Sequence, residues 1–192
     1  MAPALALLVL AACFLIGCSR GDEPIRTNAT PSDNAERAEA ELDGVRVASA
    51  WETLRAKLGQ DAQLLEVRAD HQGLVVQVVR SFEPSLEIVE FWASLEASGG
   101  RVDVEGPIPI ALRGAGDAKG NAFLLAELDV SRITAAFPVA RLAVDPADGQ
   151  VRQLVIRRML PFNRLVRARI FVHSPRMSGS IDTNSGGTPL KQ

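Results

Sequence analysis

The chain has only two cysteines, Cys13 and Cys18, and both lie near its N-terminus. Neither a disulfide nor a cysteine-based metal site can therefore form within the rest of the sequence. That part must be stabilised by burying apolar side chains, and the hydrophobic content of 47% is typical of a chain that folds. The length of 192 residues favours one domain or two small ones.

An apolar run from Ala4 to Gly17 is too short to span a membrane and is typical of the hydrophobic part of a secretory signal. It ends in Leu15-Ile16-Gly17-Cys18, which resembles the lipobox of bacterial lipoproteins. The resemblance implies that residues 1–17 are removed as a signal peptide and that Cys18 carries diacylglycerol and an amide-linked acyl chain such as palmitate. The alternative is an ordinary signal peptide followed by a chance cysteine.

Several acyl chains on one residue hold a protein stably on a bilayer, whereas a single chain binds only marginally. Ser19 stands where an Asp would resemble an inner-membrane retention signal. The resemblance therefore implies an outer-membrane location, with the protein facing the periplasm. Residues 18–44 are rich in Pro, Asn, Asp and Ser, and we expect the lipidated Cys18 and a flexible tether there.

Hydrophobic periodicity places the folded body at residues 45–175. Apolar residues at helical spacing predict a helix over 47–58, and β-branched runs predict strands over 64–69 and 73–81. The clearest hairpin is predicted at 151–159 and 165–173, where Val166, Ala168, Ile170 and Val172 share one face.

Other segments are less distinct. Residues 101–105 and 121–128 are predicted as strands on either side of a Gly-rich turn, and 131–142 as a helix kinked at Pro138. Residues 84–97 fit both an amphipathic helix and a strand, and periodicity does not decide between them. The Ser-, Gly- and Thr-rich tail at 176–192 is expected to be frayed.

A helix followed by strands occurs twice, which predicts an α+β fold with two or so helices on one face of an antiparallel sheet. Two segments, Val104-Glu-Gly-Pro-Ile-Pro109 and Leu160-Pro-Phe162 with the strand from Val166 to Pro175, resemble parts of uncharacterised secreted bacterial proteins. Their helix-plus-strands units are similar to PepSY and BLIP-type modules. This resemblance implies a non-catalytic binding module and assigns no site residues.

Catalytic candidates are few, because the sequence contains two histidines, His71 and His173, and no Tyr. Neither histidine has neighbours at metal-ligand spacing, so we predict no metal site and no cofactor. Ser174 follows His173, and Asp182 lies nearby in sequence, but a catalytic triad is defined by geometry rather than by adjacency. A turn histidine and a strand histidine are the simpler interpretation.

Charge is unevenly distributed along the chain. From residue 20 to 129 there are 11 basic and 20 acidic residues, whereas from 130 to 192 there are 10 basic and 3 acidic ones. Within the predicted hairpin, Arg167 and Arg169 alternate with apolar residues, and Arg157 on the partner strand extends their face. We call residues 20–129 the acidic half and residues 130–192 the basic half. The arginines either pair with the acidic half or bind an outside anion, such as lipid headgroups, lipopolysaccharide or an acidic protein.

These observations predict a lipid-anchored, periplasm-facing lipoprotein that acts as a non-catalytic binding or assembly module. A carrier of apolar ligands, similar to lipoprotein-sorting receptors, is the alternative, and an apolar cavity under the sheet would favour it. A hydrolase built on His71 or His173 is a third possibility. Nucleic acid is not an expected partner, and the oligomeric state is left open.

We expect the mature protein to begin at a lipidated Cys18. Intact-mass measurement of the membrane-extracted protein should give the mass of residues 18–192 plus the acyl groups. A Cys18→Ala chain should be released from membranes, because the thiol that bears the lipid is gone. A mature N-terminus at another residue, or a Cys18→Ala chain that stays membrane-bound, would contradict the lipobox interpretation.

Overall fold

A computed structural model describes residues 41–95, 102–111 and 117–190. The fold is α+β, as predicted, with helices packed on an antiparallel sheet. The predicted signal peptide at residues 1–17, the predicted lipidation site Cys18 and most of the predicted tether lie outside the described residues. Among those described, no helix combines the length and the apolar character that a membrane crossing requires.

The first half of the fold is one helix followed by a four-stranded meander. Helix α1 spans Gly44–Leu58, and the strands that follow it are β1 (Gln63–Asp70), β2 (Gly73–Ser81), β3 (Glu87–Ser94) and β4 (Val104–Ile110). Asp43 caps α1 by accepting the Val45 N–H at 2.8 Å. Gly59 ends the helix with φ of 81°, a conformation that favours glycine.

The second half repeats this order with shorter helices. It contains α2 (Ala118–Asn121), β5 (Phe123–Leu124), a 3-10 turn (Leu125–Glu127), α3 (Val130–Ala135), α4 (Phe137–Val144), β6 (Gln150–Met159), β7 (Asn163–His173) and β8 (Ser178–Asn184). The sheet has the order β4-β3-β2-β1-β6-β7-β8, and the short β5 pairs with β1. Strands β1 and β6 therefore join the two halves into one sheet.

One face of the sheet is covered by α1, α3 and α4. Trp51 and Leu54 of α1 and Ile133 of α3 are at most 1% exposed, and they pack against inward-facing strand residues in one continuous core. The inward strand residues include Val67, Val76, Leu154, Ala168 and Ile170. Full burial of each large apolar side chain stabilises the fold by about 1.5–3 kcal/mol.

Two segments differ from, or were left open by, the sequence prediction, and the structure shows why. Residues 87–94 form β3, because Val89, Phe91 and Ala93 pair along β2 with their side chains inward. Of the strand predicted at residues 121–128, only Phe123–Leu124 is a strand, since Asp117 caps α2 and the Glu127 carboxylate accepts the Leu124 N–H at 2.9 Å. Such side-chain bonds to nearby backbone compete with an extended conformation.

The predicted kinked helix is two helices that meet at Ala136. Pro138 occupies the first turn of α4, where its missing N–H costs no helical hydrogen bond. The expectation of a frayed tail is wrong over much of its length, because β8 pairs with β7 along its whole length. Thr183 of β8 also forms a β-bridge with Pro189, which keeps the chain after β8 folded against the sheet edge.

The described fold also begins before Val45, inside the predicted tether. Leu42 is 2% exposed, and its N–H donates to the Val151 carbonyl at 2.7 Å. Glu41 lies 3.3 Å from Arg141 of α4. Residues 41–43 thus belong to the packed body, and Leu42 marks the place where the N-terminal segment meets the start of β6.

We expect a chain that begins at Glu41 to unfold at nearly the same temperature as the mature protein. A chain that begins at Val45 should be less stable by about 3 kcal/mol, because it loses a buried leucine and the cap of α1. Thermal and urea unfolding of both chains would measure the difference. Equal stability of the two would show that Leu42 and Asp43 contribute nothing to the fold.

Candidate functional site: an arginine-rimmed hollow on the open face of the sheet

The sheet face opposite the helices carries the candidate arginines. In the register of the central strands, Glu66 of β1 lies beside Arg157 of β6, and Arg157 lies beside Arg167 of β7. In the next row, Arg68 neighbours Val155, which neighbours Arg169. The structure therefore places Arg157, Arg167 and Arg169 on one face, while Val166, Ala168 and Ile170 are buried on the other.

These side chains surround a surface hollow of about 470 Å³. The name arginine hollow is used below for this site. Four arginines and two carboxylates line it, together with apolar and amide side chains from the same strands and from the β6–β7 turn. The lining residues are Glu66, Arg68, Gln153, Val155, Arg157, Phe162, Asn163, Arg167, Arg169, Phe171 and Asp182.

Asp182 of β8 makes the strongest contact in the arginine hollow. Arg169 donates to both carboxylate oxygens, from Nε at 2.7 Å and from Nη2 at 2.9 Å. Bidentate, charge-assisted pairs of this kind are stronger than ordinary hydrogen bonds. The Arg169 hydrogen bonds lower the pKa of Asp182 and outweigh the upward effect of its partial burial. The nearby charges of Arg169 and Arg167 lower this pKa further.

The remaining arginines of the hollow are held loosely. Arg167 Nη1 lies 3.8 Å from Asp182, and Glu66 lies between Arg157 at 3.7 Å and Arg68 at 3.9 Å. The side chains of Glu66 and Asp182 are 21% and 14% exposed, whereas those of the four arginines are 41–48% exposed. The carboxylates thus lie at the bottom, and the rim is positively charged, with two more cations than anions.

Several arginines of residues 130–192 pair with carboxylates of the same segment and not, as one of the two alternatives expected, with the acidic half. The three acidic residues of 130–192 all pair with arginines of their own half: Asp182 with Arg169, and Asp145 and Asp148 with Arg176 at 2.7 and 3.0 Å. The acidic half supplies Glu66 to Arg157 and Glu127 to Arg158. For Arg167 and Arg169 the expected source was therefore wrong, since the partner is on the adjacent strand.

The histidines lie at a different place. His71 and His173 both line a second surface hollow, of about 700 Å³, together with Ser174 and Asp148. His173 Nδ1 contacts the Ser178 hydroxyl at 2.6 Å rather than Ser174. The Ser174 hydroxyl is buried and bonds to backbone groups of Arg176 and Met177.

This arrangement does not assemble the triad considered from the sequence. Asp182 is paired with Arg169, and the Ser174 hydroxyl donates to the Met177 carbonyl instead of to a histidine base. A triad needs the nucleophile to donate to the base and the base to be oriented by the acid. Within the described part of the chain, no cluster of three or more His, Cys, Asp or Glu residues is placed to hold a metal ion.

Sequence reasoning identified three residues of the arginine hollow and missed Glu66, Arg68, Phe162, Phe171 and Asp182. The alternation of Leu64 to Ala69 would have placed Glu66 and Arg68 on a common face, but not next to β6. That neighbourhood depends on pairing between strands more than 80 residues apart, as in Glu66 with Arg157. Asp182 was missed because its strand lies in the segment expected to be frayed.

No protein-family model matches the chain, and neither a curated protein nor a solved structure shows significant similarity to it.

Replacing Arg169 by Gln should lower the free energy of unfolding by about 1 kcal/mol at neutral pH. The depressed pKa of Asp182 stabilises the fold above the unfolded carboxyl pKa near 4, and this contribution disappears as the pH falls through the folded value. The difference between wild type and variant should therefore shrink in acid.

Arg167→Gln is the matched control, because Arg167 approaches the same carboxylate only at 3.8 Å. Its effect should be below about 0.5 kcal/mol. Urea unfolding at pH 7 and at pH 2.5 would measure both variants. Equal losses for Arg167→Gln and Arg169→Gln would contradict the assignment of Asp182 to Arg169.

Proposed function

We propose that this protein is a lipid-anchored, periplasm-facing lipoprotein that acts as a non-catalytic binding module through the arginine hollow. The observation that supports this proposal is the charge arrangement of the hollow. Four half-exposed guanidinium groups stand above two shielded carboxylates on a sheet face that α1, α3 and α4 leave open. Anchoring through Cys18 is supported by the lipobox in the sequence.

The hollow has the donors that an anionic group requires. Each guanidinium offers five N–H donors in a planar fork that matches carboxylate and phosphate oxygens. Arg157 and Arg167 make only long contacts, at 3.7 and 3.8 Å, so most of their donors are available to a ligand. Arg169 differs, because it is committed to Asp182 and forms part of the floor.

The apolar lining narrows the class of ligand. Val155 lies between Arg68 and Arg169 in one row of the sheet, and Phe171 lies opposite Gln153 in the next row. Phe162 stands at the rim with 86% of its surface exposed. A small inorganic anion would leave these surfaces uncovered. An amphipathic anion, with a phosphate or carboxylate on an apolar chain, would contact both the arginines and the apolar side chains.

The carrier of apolar ligands is the second candidate and is less well supported. Such a carrier needs an apolar cavity beneath the sheet. In this fold the same space contains Trp51, Leu54 and Ile133, which are packed against Leu154 and Ile170 in one core. The open hollow with charged walls favours binding at the surface over enclosure of an apolar chain.

We expect the Arg157→Gln/Arg167→Gln chain to bind hexyl phosphate about tenfold more weakly than wild type, a loss of about 1.4 kcal/mol. Both substitutions remove available donors and leave the Arg169–Asp182 pair in place, so the melting temperature should change little. NMR titration with hexyl phosphate and with inorganic phosphate would measure affinity and locate the perturbed residues.

The matched control is Arg46→Gln/Arg132→Gln, which removes two exposed arginines from α1 and α3 without touching the hollow. It should bind hexyl phosphate like wild type, because it changes the net charge by the same amount elsewhere. Equal weakening by the two double variants would indicate only nonspecific attraction. Unchanged affinity in Arg157→Gln/Arg167→Gln would contradict the proposed site.

A further inference from the structure

The end of the β6–β7 hairpin exposes two large apolar side chains, one in the turn and one in the first residues of β7. Phe162 is 86% exposed and Leu165 is 67% exposed. Pro161, between Leu160 and Phe162, is also exposed. Residues 160–165 are called the hairpin tip below. Exposed apolar side chains grouped in this way are typical of a surface that contacts something else.

The charge around the hairpin tip indicates the nature of that contact. Residues 152–176 include seven arginines and no acidic residue. Arg164 lies within the tip and forms no ion pair with a described carboxylate, while Arg157 and Arg167 flank its base on the two strands. Apolar side chains at the apex and cations behind them match the two layers of an anionic bilayer surface, with acyl chains beneath phosphate groups.

The length of the N-terminal segment allows the hairpin tip to reach the bilayer in which Cys18 would be anchored. Leu42 bonds to Val151 at the start of β6, whereas the tip follows Met159 at the other end of that strand. A strand of this length spans about 30 Å. The roughly 24 residues from Cys18 to Leu42 could cover at most about 80 Å, so the anchor permits the tip to reach the same bilayer.

Contact of both the hairpin tip and the arginine-bearing sheet face with one bilayer requires the strands to lie along the membrane rather than upright on it. The arginine hollow opens on the sheet face next to Phe162, which is itself part of the lining. The helical face carries mixed charges in short pairs, such as Arg132 with Asp129 and Arg46 with Asp43. The arginine-rich sheet face is therefore the one that complements an anionic membrane.

We propose that the hairpin tip inserts Phe162 and Leu165 into the headgroup boundary of an anionic bilayer, so that the arginine hollow receives lipid phosphate groups. This inference rests on the proposed function and names its partner as the membrane surface. The lipid anchor then keeps the body near the bilayer, and the hairpin tip docks the body on it.

The absence of cysteine after Cys18 allows a local test on the mature lipidated protein. Phe162→Cys, labelled with an environment-sensitive fluorophore, reports from the tip, and the exposed position tolerates the label. The protein is reconstituted into vesicles of phosphatidylcholine alone or with 30% phosphatidylglycerol. Leu142→Cys is the control, since it is 62% exposed on α4 on the opposite side of the sheet.

The label at position 162 should shift to the blue in anionic vesicles and lose at least half of its intensity to spin-labelled lipid. The same label should change little in neutral vesicles, and the label at position 142 should change little in both. Raising the salt to 0.5 M should reduce the effect, because arginine–phosphate attraction is screened.

An unshifted label at position 162, equal shifts in neutral and anionic vesicles, or equal shifts at positions 162 and 142 would each overturn the inference. A shift caused by poly-glutamate but not by anionic vesicles would also overturn it and indicate an acidic protein. If hexyl phosphate still binds but the label at position 162 does not shift, only the membrane-docking inference is rejected, and the proposed binding site stands. A shifted tip without phosphate binding would reject the arginine hollow and leave tip insertion supported.

Discussion

The pairing of β1 with β6 is the constraint on which the rest of the structure depends. It joins the acidic first half of the chain to the basic second half in one continuous sheet. Val67 pairs with Ile156 and Ala69 with Leu154, and all four side chains are fully buried on the helical face. The inward packing sets the register, and the register in turn places Glu66 beside Arg157 on the open face. A slip of one residue would exchange the two faces.

Three of the helices lie on one face of that sheet: α1 lies over β2 and β3, α4 lies over β6 to β8, and α3 packs against α1. The short α2 covers part of the opposite face, where Ala118 packs against an apolar cluster that includes Leu65, Val79 and Ile88. Because the strands alternate, the polar residues of β1, β6 and β7 that lie opposite the core share the uncovered part of that face. The arginine hollow is therefore a consequence of the layered architecture. It needs no special loop, and its arginines stand on regular strands that hold their backbone positions.

The charged side chains of the hollow are of two kinds: some are held in short ion pairs that stabilise the fold, and others remain available to bind a ligand. Asp182 and Glu66 are shielded by the longer arginine side chains around them. Arg169 is held by two short bonds, whereas Arg157 and Arg167 remain half-exposed with weak partners. Short ion pairs also form within the basic half, as between Asp145 and Arg176. They explain how a segment with so many arginines folds although only some of these arginines pair with the acidic half.

What the sequence alone determined is what local periodicity can express. The first helix, the β1–β2 and β6–β7 hairpins, the α+β class and the side of β7 that bears Arg167 and Arg169 all follow from the spacing of apolar residues. The lipobox at Cys18 is likewise a local signal, and its chemistry stays a prediction.

Only the tertiary structure decided the features that depend on distant partners. Residues 87–94 are apolar on both faces, so pairing with β2 was needed to make them a strand. The polar β8 lacks a strong hydrophobic pattern and forms a strand because it pairs with β7. Leu42 becomes a core residue because its backbone bonds to Val151 and its side chain is buried in the core. The sequence could not identify the neighbours of the arginines for the same reason. Periodicity specifies which face of a strand a residue occupies, whereas the order of the strands specifies which residues lie next to it.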